Sequence, residues 1–116
     1  MAASCRNLRV WQLAMELVIR VYERTRGFPK PDIYGLIGQV RRAAVSIPSN
    51  IAEGKGRFSD RDRAHFFCHV RGSLLELETP IPIAQQLEYL SGAEGDKLIA
   101  ISAQLSRTLN ALIHSP

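Results

Sequence analysis

The chain has 116 residues and a formal net charge of +4 at pH 7; 46% of its residues are hydrophobic and 22% are charged. These proportions exclude a disordered chain, which would be poorer in apolar residues, and the length predicts a single domain over residues 1–116. No run approaches the ~20 consecutive apolar residues of a membrane-spanning helix, and no signal peptide or disulfide framework is evident, so we expect a cytoplasmic protein without a membrane partner.

The first predicted helix covers approximately residues 7–26. Apolar side chains recur there at spacings of three and four, as in an amphipathic helix, and they are Leu8, Trp11, Met15, Val18 and Tyr22. A second apolar strip beside the first consists of Val10, Leu13, Leu17 and Val21. Asn7 is placed to cap this helix. Because a lone bundle usually needs only one such strip, we expect the additional apolar surface to be buried between subunits.

The second predicted helix covers approximately residues 32–54 and follows a connection that is rich in glycine and proline. Asp32 is placed to cap it. Its apolar positions are Ile33, Leu36, Ile37, Val40, Ala44, Ile47 and Ile51. Pro48 lies inside this pattern and removes one backbone donor, which frees the carbonyl of Ala44. Since the apolar pattern resumes at Ile51, we expect one bent helix and not two.

The third predicted helix covers approximately residues 59–90, and its apolar face runs from Phe67 to Leu87. Ser59 and Asp62 have the spacing of a capping box at its start. Pro80 and Pro82 interrupt the pattern, so the helix either bends there or restarts beyond Thr79.

The fourth predicted helix covers approximately residues 96–113. Its apolar positions are Leu98, Ile101, Leu105, Leu109 and Leu112, and Asp96 suits the positive end of the helix dipole. No segment alternates with the two-residue period of a half-buried strand. The four segments and their short connections therefore predict an all-α protein, an antiparallel up-down-up-down four-helix bundle.

One long motif carries a family resemblance. The run Arg41–Gly54, with the sequence RRAAVSIPSNIAEG, resembles the signature of the four-helix bundle proteins first noticed in intervening sequences of bacterial large-subunit ribosomal RNA genes. Supporting matches span nearly the whole chain, namely Leu8–Gln12, Phe28–Pro29, Tyr34–Leu36 and Gly72–Thr79. Pro80 and Pro82 depart from the family pattern, which has ordinary helix formers there.

This resemblance implies a left-handed four-helix bundle that assembles as a ring-like homopentamer and has no established enzymatic activity. Distant relatives accompany retroelement reverse transcriptases, where a role in binding protein and nucleic acid is attributed to them. The resemblance therefore favours a binding function over a catalytic one.

Polar residues of the signature form a strip on the second helix. Its members are Arg42, Ser46, Asn50 and Glu53, at helical spacings of four, four and three. On the third helix His69, Ser73 and Glu76 are spaced in the same way. We hypothesise that the two strips face each other, with Arg42 paired to Glu76 and the other side chains completing hydrogen bonds around Pro48. A strip that is simply solvated is the alternative.

Basic residues are concentrated in one part of the sequence. Residues 41–71 contain seven arginines and lysines against three acidic residues, which accounts for the whole net charge of +4. The candidates for contact with RNA or DNA are Arg41, Lys55, Arg57, Arg61, Arg63 and Arg71. Such residues would bind phosphates with little base specificity, while the alternative is a solvated basic surface.

The sequence does not predict an enzyme, a cofactor or a metal site. His65, Cys68 and His69 have the spacing of zinc ligands on a helix, but Phe66 stands where a metalloprotease has its glutamate and no fourth ligand is near. We therefore interpret these three residues as ordinary packing residues. Glu76 and Glu78 point to different faces of a helix and cannot act as a carboxylate pair.

Together these patterns predict a non-catalytic, homo-oligomeric scaffold that binds RNA or DNA. The alternative is a protein–protein adaptor that docks a helical partner and has no role in nucleic-acid binding. Steep weakening of binding with rising salt favours the first function, and capture of a protein that does not depend on salt favours the second.

Overall fold

The computed structural model describes residues 8–29, 35–56 and 60–113, with the side chains of Asp60 and Ile113 left out. Its helices are α1 (Arg9–Thr25), α2 (Leu36–Lys55), α3 (Asp60–Leu75), α4 (Pro80–Gln86) and α5 (Gly92–Ile113). We call α3 and α4 together the third arm. The described part of the chain contains no strand, so the protein is all-α with four helical arms.

Each arm packs against two neighbours around one apolar core. The third arm and α1 both flank α2, and the same two arms flank α5. The core is lined from all four arms by side chains that are almost fully buried, among them Leu17, Ile47, Ile51, Leu77, Ile81, Leu98, Leu105 and Leu109. Among the described helices, none combines the length and apolar character needed to cross a lipid bilayer.

The two apolar strips of α1 have different environments. The strip predicted as the second one faces the core, since Val10, Leu13, Leu17 and Val21 are at most 3% exposed. The other strip lies at the edge of the core. Trp11 and Val18 are partly buried against the core there, and Tyr22 is exposed. The structure places Leu8 at the N-cap, and the predicted cap Asn7 lies outside the described residues.

Helix α2 is continuous through its proline, as the sequence pattern predicted. It begins at Leu36 and has Pro48 inside it, whereas the predicted cap Asp32 lies outside the described residues. Polar side chains directly after the proline donate hydrogen bonds to carbonyls of the preceding turn. Ser49 Oγ donates to the Val45 carbonyl at 3.0 Å, and Asn50 Nδ2 donates to the Ser46 carbonyl at 2.8 Å.

The third arm is broken and not merely bent. Residues 76–79 form a turn, and α4 starts with Pro80 directly after the N-cap Thr79, so the helix restarts at the predicted point. The first four N–H groups of a helix have no partner within it, and proline is therefore tolerated there. Pro80 and Pro82 both fall in this first turn. The predicted cap Ser59 lies outside the described residues.

The predicted end of the third helix at residue 90 is wrong, since α4 ends at Gln86. Glu88 has a φ of 64°, and its N–H donates to the Gln85 carbonyl at 3.0 Å. The N–H of Tyr89 donates to the Ala84 carbonyl at 2.9 Å. These two bonds close a Schellman-type helix end, which uses a left-handed residue that here is not glycine.

The predicted start of the last helix at residue 96 is also wrong, because α5 begins at Gly92. The hydroxyl of Ser91 accepts a hydrogen bond from the N–H of Glu94 at 3.1 Å. Ser91 and Glu94 have the spacing of a capping box. This spacing did not lead to a predicted helix start, because many of the residues around it are typical of turns.

Candidate functional site

A polar groove runs along the contact between α2 and α3, and we call it the α2–α3 groove. Its volume is about 580 Å³. Its walls carry polar and titratable side chains from both helices, together with Ala43 and Gly72, and these polar residues are Arg42, Ser46, Asn50, His65, Cys68, His69, Ser73 and Glu76. The groove thus brings together the polar residues that the sequence places on two separate helices.

A glycine sets how closely the two helices approach below this groove. Gly54 is buried, and a Cβ atom built on it would lie 3.0 Å from Cε1 of Phe67 and 3.2 Å from Cβ of Phe66. Both distances are shorter than ordinary van der Waals contact. The close contact of α2 with α3 therefore favours a residue without a side chain at this position.

The centre of the groove is a hydrogen bond between two serine hydroxyls. Ser46 Oγ and Ser73 Oγ form a short hydrogen bond across the helix contact, and Ser46 Oγ also donates to the Ala43 carbonyl at 2.7 Å. One hydroxyl has a single proton, so Ser73 is the donor to Ser46 when Ser46 donates to its own helix. Ser73 is only 7% exposed. The bond therefore gives its buried hydroxyl a hydrogen-bond partner.

The charged members of the predicted polar strip do not pair as hypothesised. Arg42 and Glu76 are exposed and both line the groove, but no salt bridge joins them in the described part of the chain. Glu53 is exposed as well and lies outside the set of groove residues. The hydroxyls therefore join the two helices, while the charged ends of the groove stay open to solvent.

The interpretation of His65, Cys68 and His69 as packing residues is wrong, because all three side chains are exposed. Nε2 of His65 lies 3.2 Å from Nε2 of His69, and the ring centroids are 4.7 Å apart with an edge-on angle of 84°. The ring of Phe66 contacts both histidines. No group of three or more metal-ligating side chains occurs among the described residues.

Arg41 and Arg71 are basic candidates that are held by structural contacts. Arg41 is half-buried; its Nε donates to Thr25 Oγ1 at 2.9 Å, and its guanidinium lies 4.5 Å from the ring centre of Tyr22. Arg71 donates from Nη2 to Asn110 Oδ1 at 2.8 Å. These arginines therefore fasten α2 to α1 and α3 to α5.

The other basic candidates among the described residues belong to the end of the bundle where α2 finishes and α3 begins. Lys55 and Arg61 are exposed there and Arg63 is half-buried, while Arg57 lies outside the described residues. At 1.5 Å per residue, Arg41 is roughly 20 Å from Lys55 along α2, and Arg71 is roughly 15 Å from Arg61 along α3. The five basic candidates that the structure describes therefore do not form one patch.

An apolar strip on the outside of α1 consists of Met15, Ile19 and Tyr22, and we call it the α1 outer strip. Ile19 is 53% exposed and Tyr22 is 39% exposed. A shallow depression beside it is flanked by the charged residues Glu16, Arg20 and Glu23. Ile19 is not part of either apolar strip predicted from the sequence, although the spacing of i, i+4 and i+7 places it with Met15 and Tyr22.

Comparison with known proteins identifies the family. No curated protein sequence matches the chain. The family profile described as 23S rRNA-intervening sequence protein matches residues 6–111, which includes the signature run and every helix except the last residues of α5. The helical structure agrees with that match and with the resemblance of the Arg41–Gly54 run. The chain therefore belongs to the 23S rRNA-intervening sequence protein family.

Proposed function

We propose that the protein is a non-catalytic, cytoplasmic scaffold that acts as a homo-oligomer and binds RNA or DNA through the basic end of its α2–α3 pair. The observation that carries this proposal is the α1 outer strip. The inner face of α1 is already buried in the core, so Ile19 and its neighbours remain as apolar surface that a second copy can cover. For the stoichiometry we adopt the pentamer that the family resemblance implies.

The bundle that builds this scaffold is, in our proposal, antiparallel, up-down-up-down and left-handed. Contacts between helix ends support the antiparallel order. Arg24 near the end of α1 forms an ion pair with Glu94 near the start of α5 at 3.7 Å, and Thr25 at the end of α1 bonds to Arg41 near the start of α2. The handedness comes from the resemblance.

Nucleic-acid binding rests on the exposed cations Lys55 and Arg61. Two charges on one subunit are a weak site, but a cyclic assembly repeats them on every subunit, so several phosphates are contacted at once. Arg41 and Arg71 have hydrogen-bond partners elsewhere in the bundle, and we assign them structural roles. Phosphate contacts of this kind give a strong salt dependence and little sequence preference.

The first experiment measures the molar mass by light scattering after size exclusion for the wild type, Ile19→Lys and Leu75→Lys. Leu75 is 58% exposed and lies on α3, so it is a matched control for adding a charge to exposed apolar surface. We expect an oligomer for the wild type and the control, and a smaller species for Ile19→Lys. A monomeric wild type would refute the scaffold.

The second experiment titrates labelled RNA and DNA with the protein over a salt series. We expect Lys55→Ala/Arg61→Ala to weaken binding and to lower the salt slope by about one per residue removed. Lys97→Ala/Arg107→Ala on α5 removes the same charge from exposed positions and is the control. Equal effects of both double variants would mean that net charge alone, and not the α2–α3 end, attracts nucleic acid.

A protein–protein adaptor is the second candidate, favoured by one observation. The α2–α3 groove carries Arg42 and Glu76 in exposed positions without an ion pair between them, and a helix with complementary charges could pair with both. An oligomer that binds neither RNA nor DNA at any salt concentration would favour this function.

A further inference from the structure

We propose that His65 and His69 form a binding site for a divalent transition-metal ion of the Zn²⁺ or Cu²⁺ class. The two imidazoles lie on one face of α3, four residues apart, and both are exposed at the α2–α3 groove. Imidazole nitrogens at this helical spacing are a known chelating pair for zinc. The proposal does not depend on oligomerisation or on nucleic-acid binding.

The distance between the two nitrogens fits one metal ion. A metal–nitrogen bond is about 2.0–2.1 Å long, so two nitrogens on one ion are separated by about 2.9 Å at a right angle and by about 3.4 Å at the tetrahedral angle. The observed separation of the Nε2 atoms is 3.2 Å, which lies within that interval. The two side chains can therefore chelate an ion without a change in the backbone of α3.

Both nitrogens are available for coordination. In the described structure, neither ring has a hydrogen-bond partner except the other ring. That bond requires one Nε2 to carry a proton and the other to present a lone pair. When a metal binds, the ring that donates this bond carries its proton on Nδ1 instead, so both Nε2 atoms present a lone pair to the ion.

The remaining coordination positions belong to water. Cys68 is exposed on the same helix and also lines the groove, but no third ligand completes a cluster among the described residues. The groove carries one cation, Arg42, and one carboxylate, Glu76, so its formal charge does not exclude a metal ion. Two protein ligands and several waters describe an open, exchangeable site and not a structural one.

The choice of metal follows from the ligand type. Imidazole nitrogen suits zinc, copper and nickel, and affinities for a given nitrogen site rise from Ni²⁺ to Cu²⁺ and fall again at Zn²⁺. We therefore expect Cu²⁺ to bind more tightly than Zn²⁺ at this site. Mg²⁺ and Ca²⁺, which prefer oxygen ligands, are expected not to bind.

The test is calorimetric titration of the full-length chain, without an affinity tag, with CuCl₂ and ZnCl₂ in a buffer that does not coordinate metals. We expect one ion per chain for the wild type. Replacing either ligand, as His65→Ala or His69→Ala, should weaken binding at least about 100-fold, because losing only a residue that hydrogen-bonds to a metal ligand already costs about 10- to 100-fold. Circular dichroism checks that the variants fold, as expected for exposed positions.

Two controls make the result decisive. His114→Ala removes the remaining histidine of the chain and should leave the affinity unchanged, as should Cys68→Ser. The electron paramagnetic resonance spectrum of the Cu²⁺-loaded protein should show coupling to two nitrogens that is lost in His65→Ala. No binding by the wild type, or unchanged binding by His65→Ala and His69→Ala, would overturn the proposal.

Discussion

Two arms of the bundle contain proline within an apolar helical pattern, and the chain responds differently in each. Helix α2 continues through Pro48 from Leu36 to Lys55. The third arm stops at Leu75, turns, and restarts at Pro80. Helix α2 has one proline in its pattern and the third arm has two, Pro80 and Pro82, so the cost of a continuous helix differs between the two arms.

Packing explains why α2 stays whole. An interior proline costs about 3 kcal/mol, whereas burying one isoleucine contributes about 1.5–3 kcal/mol. Ile47 and Ile51 on either side of Pro48 are fully buried, and α1 and α3 hold α2 from both sides. Breaking the helix at Pro48 would displace both isoleucines and would cost more than the missing hydrogen bond.

The third arm would carry the cost of an interior proline twice if its helix ran on through Pro80 and Pro82, about 3 kcal/mol each. The turn at residues 76–79 avoids that cost and still leaves Leu77 and Ile81 almost fully buried. A restart at Pro80 places both prolines in a first turn, where their missing N–H groups have no intrahelical role. A proline is therefore tolerated inside a helix when packing outweighs its cost, and otherwise it marks the start of a new helix.

The largest expected effect comes from moving proline one position along α4. The N–H of Ile83 donates to the Thr79 carbonyl at 3.2 Å, which makes it the first N–H of α4 whose acceptor belongs to the helix or its N-cap. We expect Ile83→Pro to lower the free energy of unfolding by about 3 kcal/mol, measured by urea denaturation at fixed protein concentration. Pro82→Ala, one residue earlier and exposed, should change it by less than about 0.5 kcal/mol.

Ile83→Ala is the control for the lost side chain, which is 41% exposed. If Ile83→Pro were no worse than Ile83→Ala, the position of proline relative to the first turn would not explain the break.

An intermediate effect is expected at the glycine that brings α2 against α3. Gly54→Ala forces a Cβ atom to within 3.0 Å of Phe67, and such overpacking costs about 1–3 kcal/mol. Gly72→Ala on α3 is the matched control, since nothing lies within 4 Å of its Cβ position. It should stabilise the protein by about 0.5–1 kcal/mol through helix propensity alone.

Thermal or urea unfolding of these two variants should therefore give shifts of opposite sign. Shifts of the same sign would show that close packing of α2 on α3 does not help to hold α2 through Pro48.

The smallest effect is expected at the hydroxyl pair that joins α2 to α3 near Pro48. Ser46→Ala leaves the buried hydroxyl of Ser73 without its partner, which costs about 1–2 kcal/mol. Adding Ser73→Ala removes the unsatisfied group, so the double variant should be as stable as Ser46→Ala or more stable. Purely additive losses in a double-mutant cycle would mean that the two hydroxyls are not coupled.

Local sequence patterns predicted the positions of α1 and α2 better than they predicted the backbone conformation near Glu88. The apolar spacing around Leu17 and Ile47 is long and regular, and the structure buries both residues. The end of α4 was missed because Glu88 adopts a left-handed conformation that usually belongs to glycine. A sequence pattern cannot reveal a conformation that only the surrounding hydrogen bonds support.

The candidate site was predicted in part for a similar reason. Helical spacing places Ser46 and Ser73 on polar strips, but their contact depends on which faces of α2 and α3 meet. The exposure of His65 and His69 was not predicted from the sequence either, because neighbouring apolar residues such as Phe67 indicated a packed face.

The sequence by itself determined the family, the helical class and the approximate extent of most helices, because these depend on residue spacing within one segment. Tertiary structure alone decided whether proline breaks a helix, which arginines are held by neighbouring helices, and that His65 and His69 point their nitrogens at each other in an open groove. These features depend on contacts between segments, and such contacts have free energies that no single segment encodes.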